Sequence, residues 1–484
     1  MIWTREKRYA PYANWSQEQL QDLEQQVSTS KWRMNHHIHP KSGLLNDPNG
    51  FSYFNGQWHL FYQTYPFGAV HGLKSWVHLT SKDLVHWQDH GLAIEPDSKF
   101  DSHGAYTGTA LPIDQRLFIM YTGNVRTKDW QRQSYQIGAW MDANNQVTKL
   151  EQPLLTNAPK GYTTSIRDPY LIKKDDQYFA IIGAQTDQER GAALVYQSND
   201  LKTWNFVGPL NIPTKKTGYM VECPNLIFVS NRPVFLYCPQ GLPKSVFDYK
   251  NIYPNLYMIG DQVDLKTAQW SGSTKLYQLD DGFDVYATQA INAPDGRALE
   301  ISWIGLPEID YPTDTQNWAH CLSVVKELSL KDDHLYQNPV AEMKSLRKTS
   351  YLIDKQTEEI NLSKTGSFEI ELTIPKDSQL TLSISNQQQH GSLKFFLDAD
   401  QGTVTVDRQN TGRAFGEKYG QQRKSQVAAH QTLKIRLIID VSVFECYIND
   451  GYSVITGRFF LDDRPDKISL QGQPKQVSGK VWEW

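Results

Sequence analysis

The chain has 484 residues, 39% hydrophobic and 12% aromatic, which is material for a large core and two or three domains. A formal charge of −4 built from mixed signs, with no long basic block, excludes a nucleic-acid partner. No apolar run approaches the ~20 residues of a membrane helix, and Met1-Ile2-Trp3-Thr4-Arg5-Glu6-Lys7-Arg8 lacks the apolar centre of a signal peptide; no membrane partner and a cytoplasmic location are therefore expected.

From the N-terminus, residues 1–30 read as a helical segment that packs on the domain after it. Ser16 and Gln19 form a capping box, and Leu20, Leu23 and Val27 share one face of a helix over 16–29. His36, His37 and His39 then precede Pro40. Their spacing matches no zinc pattern, so a structural or substrate-rim role is expected and no metal.

Residues 31–345 carry a repeat. Polar turns leading into aromatic or β-branched runs recur at Asn55, Asp114, Asp175, Asn231 and Asp295, spaced by 59, 61, 56 and 64 positions. A unit of roughly 60 residues suits a four-stranded sheet. Five of them around a channel make a five-bladed β-propeller. Ser81-Lys82-Asp83-Leu84 reaching Trp87, and Ser198-Asn199-Asp200-Leu201 reaching Trp204, recur late in their units.

Ahead of three turns stand acids beside prolines. Asp47-Pro48, Asp168-Pro169 and Glu222-Cys223-Pro224 place Asp47, Asp168 and Glu222 eight, seven and nine residues before their turns. Proline lacks an N–H for the ladder, so each acid is expected at a strand's entrance. Corresponding strands of a propeller face the axis, and the three carboxylates are expected in one pocket. The unequal offsets call for a bulge, because a one-residue slip reverses the face a side chain points to.

Beyond a polar link at Ser345–Ser350, Phe368, Ile370, Leu372 and Ile374 alternate, as do Leu433, Ile435, Leu437 and Ile439, and Asn449-Asp450-Gly451 supplies a hairpin turn. Residues 351–484 thus read as an antiparallel β-sandwich, and the chain as all-β: a five-bladed β-propeller followed by a C-terminal β-sandwich. That second unit is expected to pack on the propeller or to make homo-oligomer contacts. Cys223, Cys238, Cys321 and Cys446 have neither metal-ligand spacing nor disulfide density and read as reduced thiols.

LLNDPNG, FYQTYPFG, HGLKSWVHLTSKDLVHW, IRDP, VECPN and WIGLPEIDYPTD, in this order between His36 and Leu346, resemble glycoside hydrolase family 32. The resemblance implies a propeller carrying the active site, a sandwich after it, and retaining hydrolysis of a fructosyl bond. It makes Asp47 the nucleophile, Asp168 the transition-state stabiliser and Glu222 the general acid/base. Asn46, Gln63, Trp76, Tyr106, Thr107 and Arg167 match positions lining the fructose subsite, with Trp76 a platform for stacking the sugar. The substrate implied is a small sugar, sucrose-6-phosphate or sucrose, with short fructo-oligosaccharides as the alternative. A phosphate needs basic partners, and Lys74, Arg126, Lys128 and Arg132 lie near pocket-forming stretches, though clusters of this kind are more often solvated surface.

Glycosidic cleavage needs one neutral acid to protonate the leaving oxygen and one anion to meet the anomeric carbon. Glu222, between Val221 and Cys223, is expected in an apolar, proton-retaining setting, Asp47 among amides as an anion, and Asp168 ionised beside Arg167. Proton transfer and covalent catalysis meet the barrier, so no cofactor is expected. Two rivals are an inverting arabinan- or xylan-type propeller hydrolase and a non-catalytic sugar-binding propeller.

Overall fold

The computed structural model describes residues 2–388, 391–472 and 476–484. Five sheets succeed one another in the order of the sequence repeat, antiparallel except where Gly43 and Leu44 of the first pair in parallel with Trp318 and Ala319. Their innermost strands are Gly43–Phe54, Ala105–Ile113, Tyr162–Lys174, Met220–Val229 and Val285–Asn292, and each touches the next around a ring that closes from the fifth back to the first. The expected hairpins join each innermost strand to the second strand of its blade. Asn55, Asp114, Asp175 and Asn231 take positive φ there, which Asn and Asp tolerate in the tight turns that match strand twist. The Ser-x-Asp-Leu marks are a shared turn as well: Asp83 and Asp200 each accept two backbone N–H groups. The tryptophans after them, Trp87 and Trp204, donate to the carbonyls of Leu84 and Leu201.

Every innermost strand is bulged at the same level. Two residues on the inner strand oppose one on its partner at Tyr106-Thr107, Asp168-Pro169, Cys223-Pro224 and Ala287-Thr288, and in the first blade Asp47 alone is the extra residue. The acids are therefore not at strand entrances. They lie within strands, at places where the ladder is already interrupted and a proline costs no hydrogen bond. The register also explains the unequal offsets. Asp168 is the first residue of its bulge, whereas Glu222 precedes its own, so Glu222 corresponds to Arg167 in the third blade and to Tyr286 in the fifth.

The N-terminal helix runs Gln17–Ser28, with the reciprocal capping bonds between Ser16 and Gln19 at 2.8 and 3.1 Å and Val27 buried. Ahead of it, Trp3, Tyr12 and Trp15 pack on Tyr65 and Phe67 of the first blade, a contact that no periodicity announced.

The C-terminal strands form two six-stranded antiparallel sheets whose facing sides bury the alternating residues Phe368 to Ile374 and Leu433 to Ile439. Propeller and sandwich meet through buried charges set in an apolar seam, in which Trp303, Tyr311 and Met343 share one buried cluster with Phe415, Val443 and Phe460. His37 Nδ1 meets Asp440 at 2.8 Å and Nε2 meets Glu445 at 3.0 Å. Lys326, paired with Glu300 at 2.9 Å inside the propeller, comes within 4.0 Å of Glu445 across the junction, and Arg408 pairs with Asp284 at 2.9 Å. The histidine cluster is thus structural. Burial opposes the charged imidazolium, but the hydrogen bonds to Asp440 and Glu445 outweigh it and raise His37 to about 9. A group held above its unfolded value of about 6.5 adds stability that is complete below that pH and is lost as pH climbs through about 9. Thermal unfolding measured over that window should show Tm falling for the parent chain. His37→Gln should flatten the slope and cost about 3 kcal/mol at pH 6; an equal slope in both chains would count against this pairing.

Candidate active site

The bulges aim side chains into one mouth of the propeller. Asp47, pushed out of its ladder, is held at both oxygens: Asn46 Nδ2 donates to Oδ1 at 3.0 Å, and Gln63 Nε2 donates to Oδ2 at 3.2 Å, as does the Thr107 hydroxyl. Gln63 also reaches Thr107 at 2.6 Å and accepts from Asn46 at 3.1 Å, closing the cradle. Behind it, the buried Lys74 donates to Asn46 Oδ1. Asp168, in a left-handed conformation at φ 64°, accepts the Cys223 N–H at 3.0 Å, and its own N–H donates to Thr122 at 2.9 Å. Glu222 takes Arg167 Nε on Oε1 at 2.9 Å and the Tyr286 hydroxyl on Oε2 at 2.8 Å. The three groups flanking the bulges of blades three, four and five therefore form one hydrogen-bonded row across the mouth.

The electrostatics come from carboxylates crowded under cover. Burial, then the charge of Glu222, raises Asp168 to about 7 against the opposing pull of Arg167 and the Cys223 N–H. Asp47 is also raised, chiefly by burial, with Thr107 and Asn46 pulling the other way and Glu222 adding to the rise. Lys74 is lowered to about 7 by burial, with Asp47 opposing. Asp47 and Asp168 each feel the charge of Glu222, and Asp168 also feels that of Asp47.

Three expectations change. Adjacency in sequence predicts an ion pair of Arg167 with Asp168; in space Arg167 turns its Nε to Glu222, and burial dominates at Asp168. Val221 and Cys223 predict an apolar setting for Glu222; strand alternation sends its side chain instead to an arginine and a tyrosine. Trp76 is no stacking platform. It is 0% exposed, packed against Phe61 and Tyr121, with its indole N–H on the Tyr106 carbonyl at 3.2 Å. Asn46, Gln63 and Thr107 do gather at the site, as the cradle of Asp47. Tyr106 lies on the rim, where the Arg132 guanidinium is 5.9 Å from its ring. Of the four cations singled out, Lys74 is under the floor and Lys128 is exposed in a turn, leaving Arg126 and Arg132 beside the pocket.

Sequence reasoning missed Tyr286 and Tyr9. Aligning the blades by their bulges would have found Tyr286, which takes in DVYATQ the place that Glu222 takes in VECPN. No sequence signal marks Tyr9. Below the acids the axis is plugged. Thr109, Asn225, Thr288 and Gln289 are tied blade to blade, leaving a cavity of about 10 Å³ between Pro48, Asp168 and Pro224.

Comparison with known proteins identifies the family. Residues 37–339 match the model of the glycosyl hydrolases family 32 N-terminal domain, and residues 342–483 match that of the family's C-terminal region. The chain belongs to glycosyl hydrolase family 32. Within that family it is similar to the sucrose-6-phosphate hydrolase of Pediococcus pentosaceus, 61% identical over all of this chain and 97% of the relative. A Streptococcus mutans protein of the same name is 43% identical over 98% of each. Among solved structures, the sucrose-6-phosphate hydrolase of Lactobacillus gasseri superposes with a TM-score of 0.96 at 45% identity, covering 100% of this chain and 99% of that one. The chain is a glycosidase of the β-fructofuranosidase type, a propeller followed by a sandwich, which removes both rival readings.

The raised Asp168 carries a cost in stability. Its folded value near 7 exceeds the unfolded value of about 3.9, so native stability declines as pH rises between them and the loss is complete above the folded value. Asp168→Asn keeps an acceptor for the Cys223 N–H and removes the charge. At pH 8 this variant should melt about 1–3 °C higher than the parent, while near pH 4 the difference should vanish. A variant that melts lower at both pH values would refute the burial argument.

Proposed function

We propose that this chain hydrolyses sucrose-6-phosphate to fructose and glucose-6-phosphate by double displacement. The observation that carries this reading is the convergence of Asp47, Asp168 and Glu222 on one mouth, in a chain with full-length relatives named for that activity. Asp47 Oδ attacks the anomeric carbon of the fructosyl unit as Glu222 gives its proton to the leaving glycosidic oxygen, forming a fructosyl ester on Asp47. Water, deprotonated by Glu222, then attacks the same carbon and restores both carboxyl groups. Asp168 accepts hydrogen bonds from fructose hydroxyls, and these strengthen as positive charge builds on the ring.

Three features of the site support these roles. The donors on both oxygens of Asp47 fix its direction of attack and moderate the effect of its burial. The Tyr286 hydroxyl can donate to a Glu222 carboxylate or accept from a Glu222 acid, so one contact serves both halves of the cycle. Arg167 bridges Glu222 at 2.9 Å and Gln240 at 3.2 Å, which holds the acid/base over the pocket. Residues 31–345 are then the catalytic unit, 1–30 a brace on its rim, and 351–484 a support joined through buried charge. A sugar phosphorylated during uptake is met inside the cell, so the reading carries a cytoplasmic location with it.

Hexose release from sucrose-6-phosphate, sucrose and a short fructo-oligosaccharide, measured side by side, tests the proposal. The phosphorylated sugar should have the highest kcat/KM, and Glu222→Gln should lower kcat by ~10²–10⁴ on all three. Faster turnover of unphosphorylated sugar would reassign the substrate, and a Glu222→Gln variant of full activity would reject the assigned acid.

A further inference from the structure

On the Glu222 side of the mouth, two arginines gather beyond Arg167, the ion-pair partner of Glu222. Arg126 and Arg132 end the two strands of one hairpin and are directly opposed in its register, an arrangement in which like charges repel. Burial, then the charges of Arg167 and Arg126, lowers Arg132 from its ordinary value, and Glu222 is near enough to act against that fall. Arg167, Arg232, Arg297, Arg347, Arg408 and Arg436 form ion pairs. Among the described residues Arg126 and Arg132 form none, and the buried Nε of Arg126 has no hydrogen-bond partner.

The same corner holds hydroxyls. Tyr9, from the segment ahead of the N-terminal helix, sits with its phenol beside that of Tyr106, within electrostatic reach of Arg126. Its ring packs edge-on to Trp130 at 5.1 Å and against His103 at 5.9 Å. Trp130 is held at φ 62°, a strained backbone for a bulky residue, and its carbonyl accepts Arg126 Nη1 at 3.3 Å. The hairpin tip is thus fixed in a costly conformation, with two guanidinium groups and two phenols at one point on the rim. Paired guanidiniums beside hydroxyl donors complement a tetrahedral dianion better than any neutral sugar.

We propose that Arg126 and Arg132, with the hydroxyls of Tyr9 and Tyr106, bind the phosphomonoester of the leaving sugar. The subsite rests on the substrate reading given under Proposed function. It lies beside Glu222, the group assigned to protonate the leaving oxygen, while the fructosyl unit is taken up by the Asp47 cradle. The N-terminal segment then contributes to specificity through Tyr9, and an anion between Arg126 and Arg132 relieves their mutual repulsion.

The test is the ratio of kcat/KM for sucrose-6-phosphate to that for sucrose, in the parent chain and in Arg126→Gln, Arg132→Gln, Arg132→Lys and Tyr9→Phe. A ratio within one preparation is independent of the fraction correctly folded. Each Arg→Gln change should lower the ratio about 10- to 100-fold, mostly through KM for the phosphorylated sugar. Arg132→Lys should fall between parent and Gln, because it keeps the charge and loses the planar fork. Inhibition by glucose-6-phosphate should weaken in parallel. A parent chain that prefers the phosphorylated sugar and variants that keep its ratio would overturn the subsite alone. A parent chain without that preference would overturn both the substrate reading and the subsite.

Discussion

Everything at the active mouth depends on the interruption of five β-ladders at one level. Innermost strands of a propeller crowd around the axis, and a regular strand there alternates its side chains between its sheet's two faces. A bulge breaks that alternation and turns a chosen side chain toward the axis. In the first blade the extra residue is Asp47; in the third it is Asp168; in the fourth the residue just before the bulge is Glu222. Left-handed backbone at Asp168, Cys223 and Ala287, with φ of 64°, 46° and 49°, is the strain this requires. Hydrogen bonds between blades hold it in place, such as the Cys223 N–H on Asp168 and the Asp168 N–H on Thr122.

A second constraint joins the two halves of the molecule. His37, Lys326 and Asp284 from the propeller meet Glu445, Asp440 and Arg408 from the sandwich with almost no access to water. Buried charges of this kind contribute little net stability as complete sets, but losing one partner is expensive. They therefore specify one docking geometry more than they strengthen it. Asp284 illustrates the point: it accepts from Arg408, from the Arg458 N–H and from the Tyr311 hydroxyl, so one propeller carboxylate fixes two sandwich residues and a loop of its own blade.

Much of this was legible in the sequence because it is written in local chemistry. Asn55, Asp114, Asp175 and Asn231 announce turns through conformations only a few residue types tolerate, Ser16 and Gln19 announce a helix start, and the alternation from Phe368 to Ile374 announces a half-buried strand. The three acids were visible through their prolines and their family motifs. What stayed hidden is set by neighbours distant in sequence. Trp76 carries the composition of a sugar platform, yet Phe61 and Tyr121, the latter from the next blade, cover it. Arg167 adjoins Asp168 in the chain and serves Glu222 in space. Tyr9 has no pattern around it at all, and only the folded chain brings it to the rim.

The plug beneath the acids has a consequence for traffic. A channel with both ends open could thread a polymer, but the ties among Thr109, Asn225, Thr288 and Gln289 leave room for about one water molecule below Asp168. The pocket is a blind well with a single door. Only the end of a saccharide can reach the bottom, and whatever sits above must leave before whatever sits below. In the proposed reaction this imposes an order of exit: the phosphorylated sugar departs first, its place is taken by the attacking water, and the fructose is the last to go.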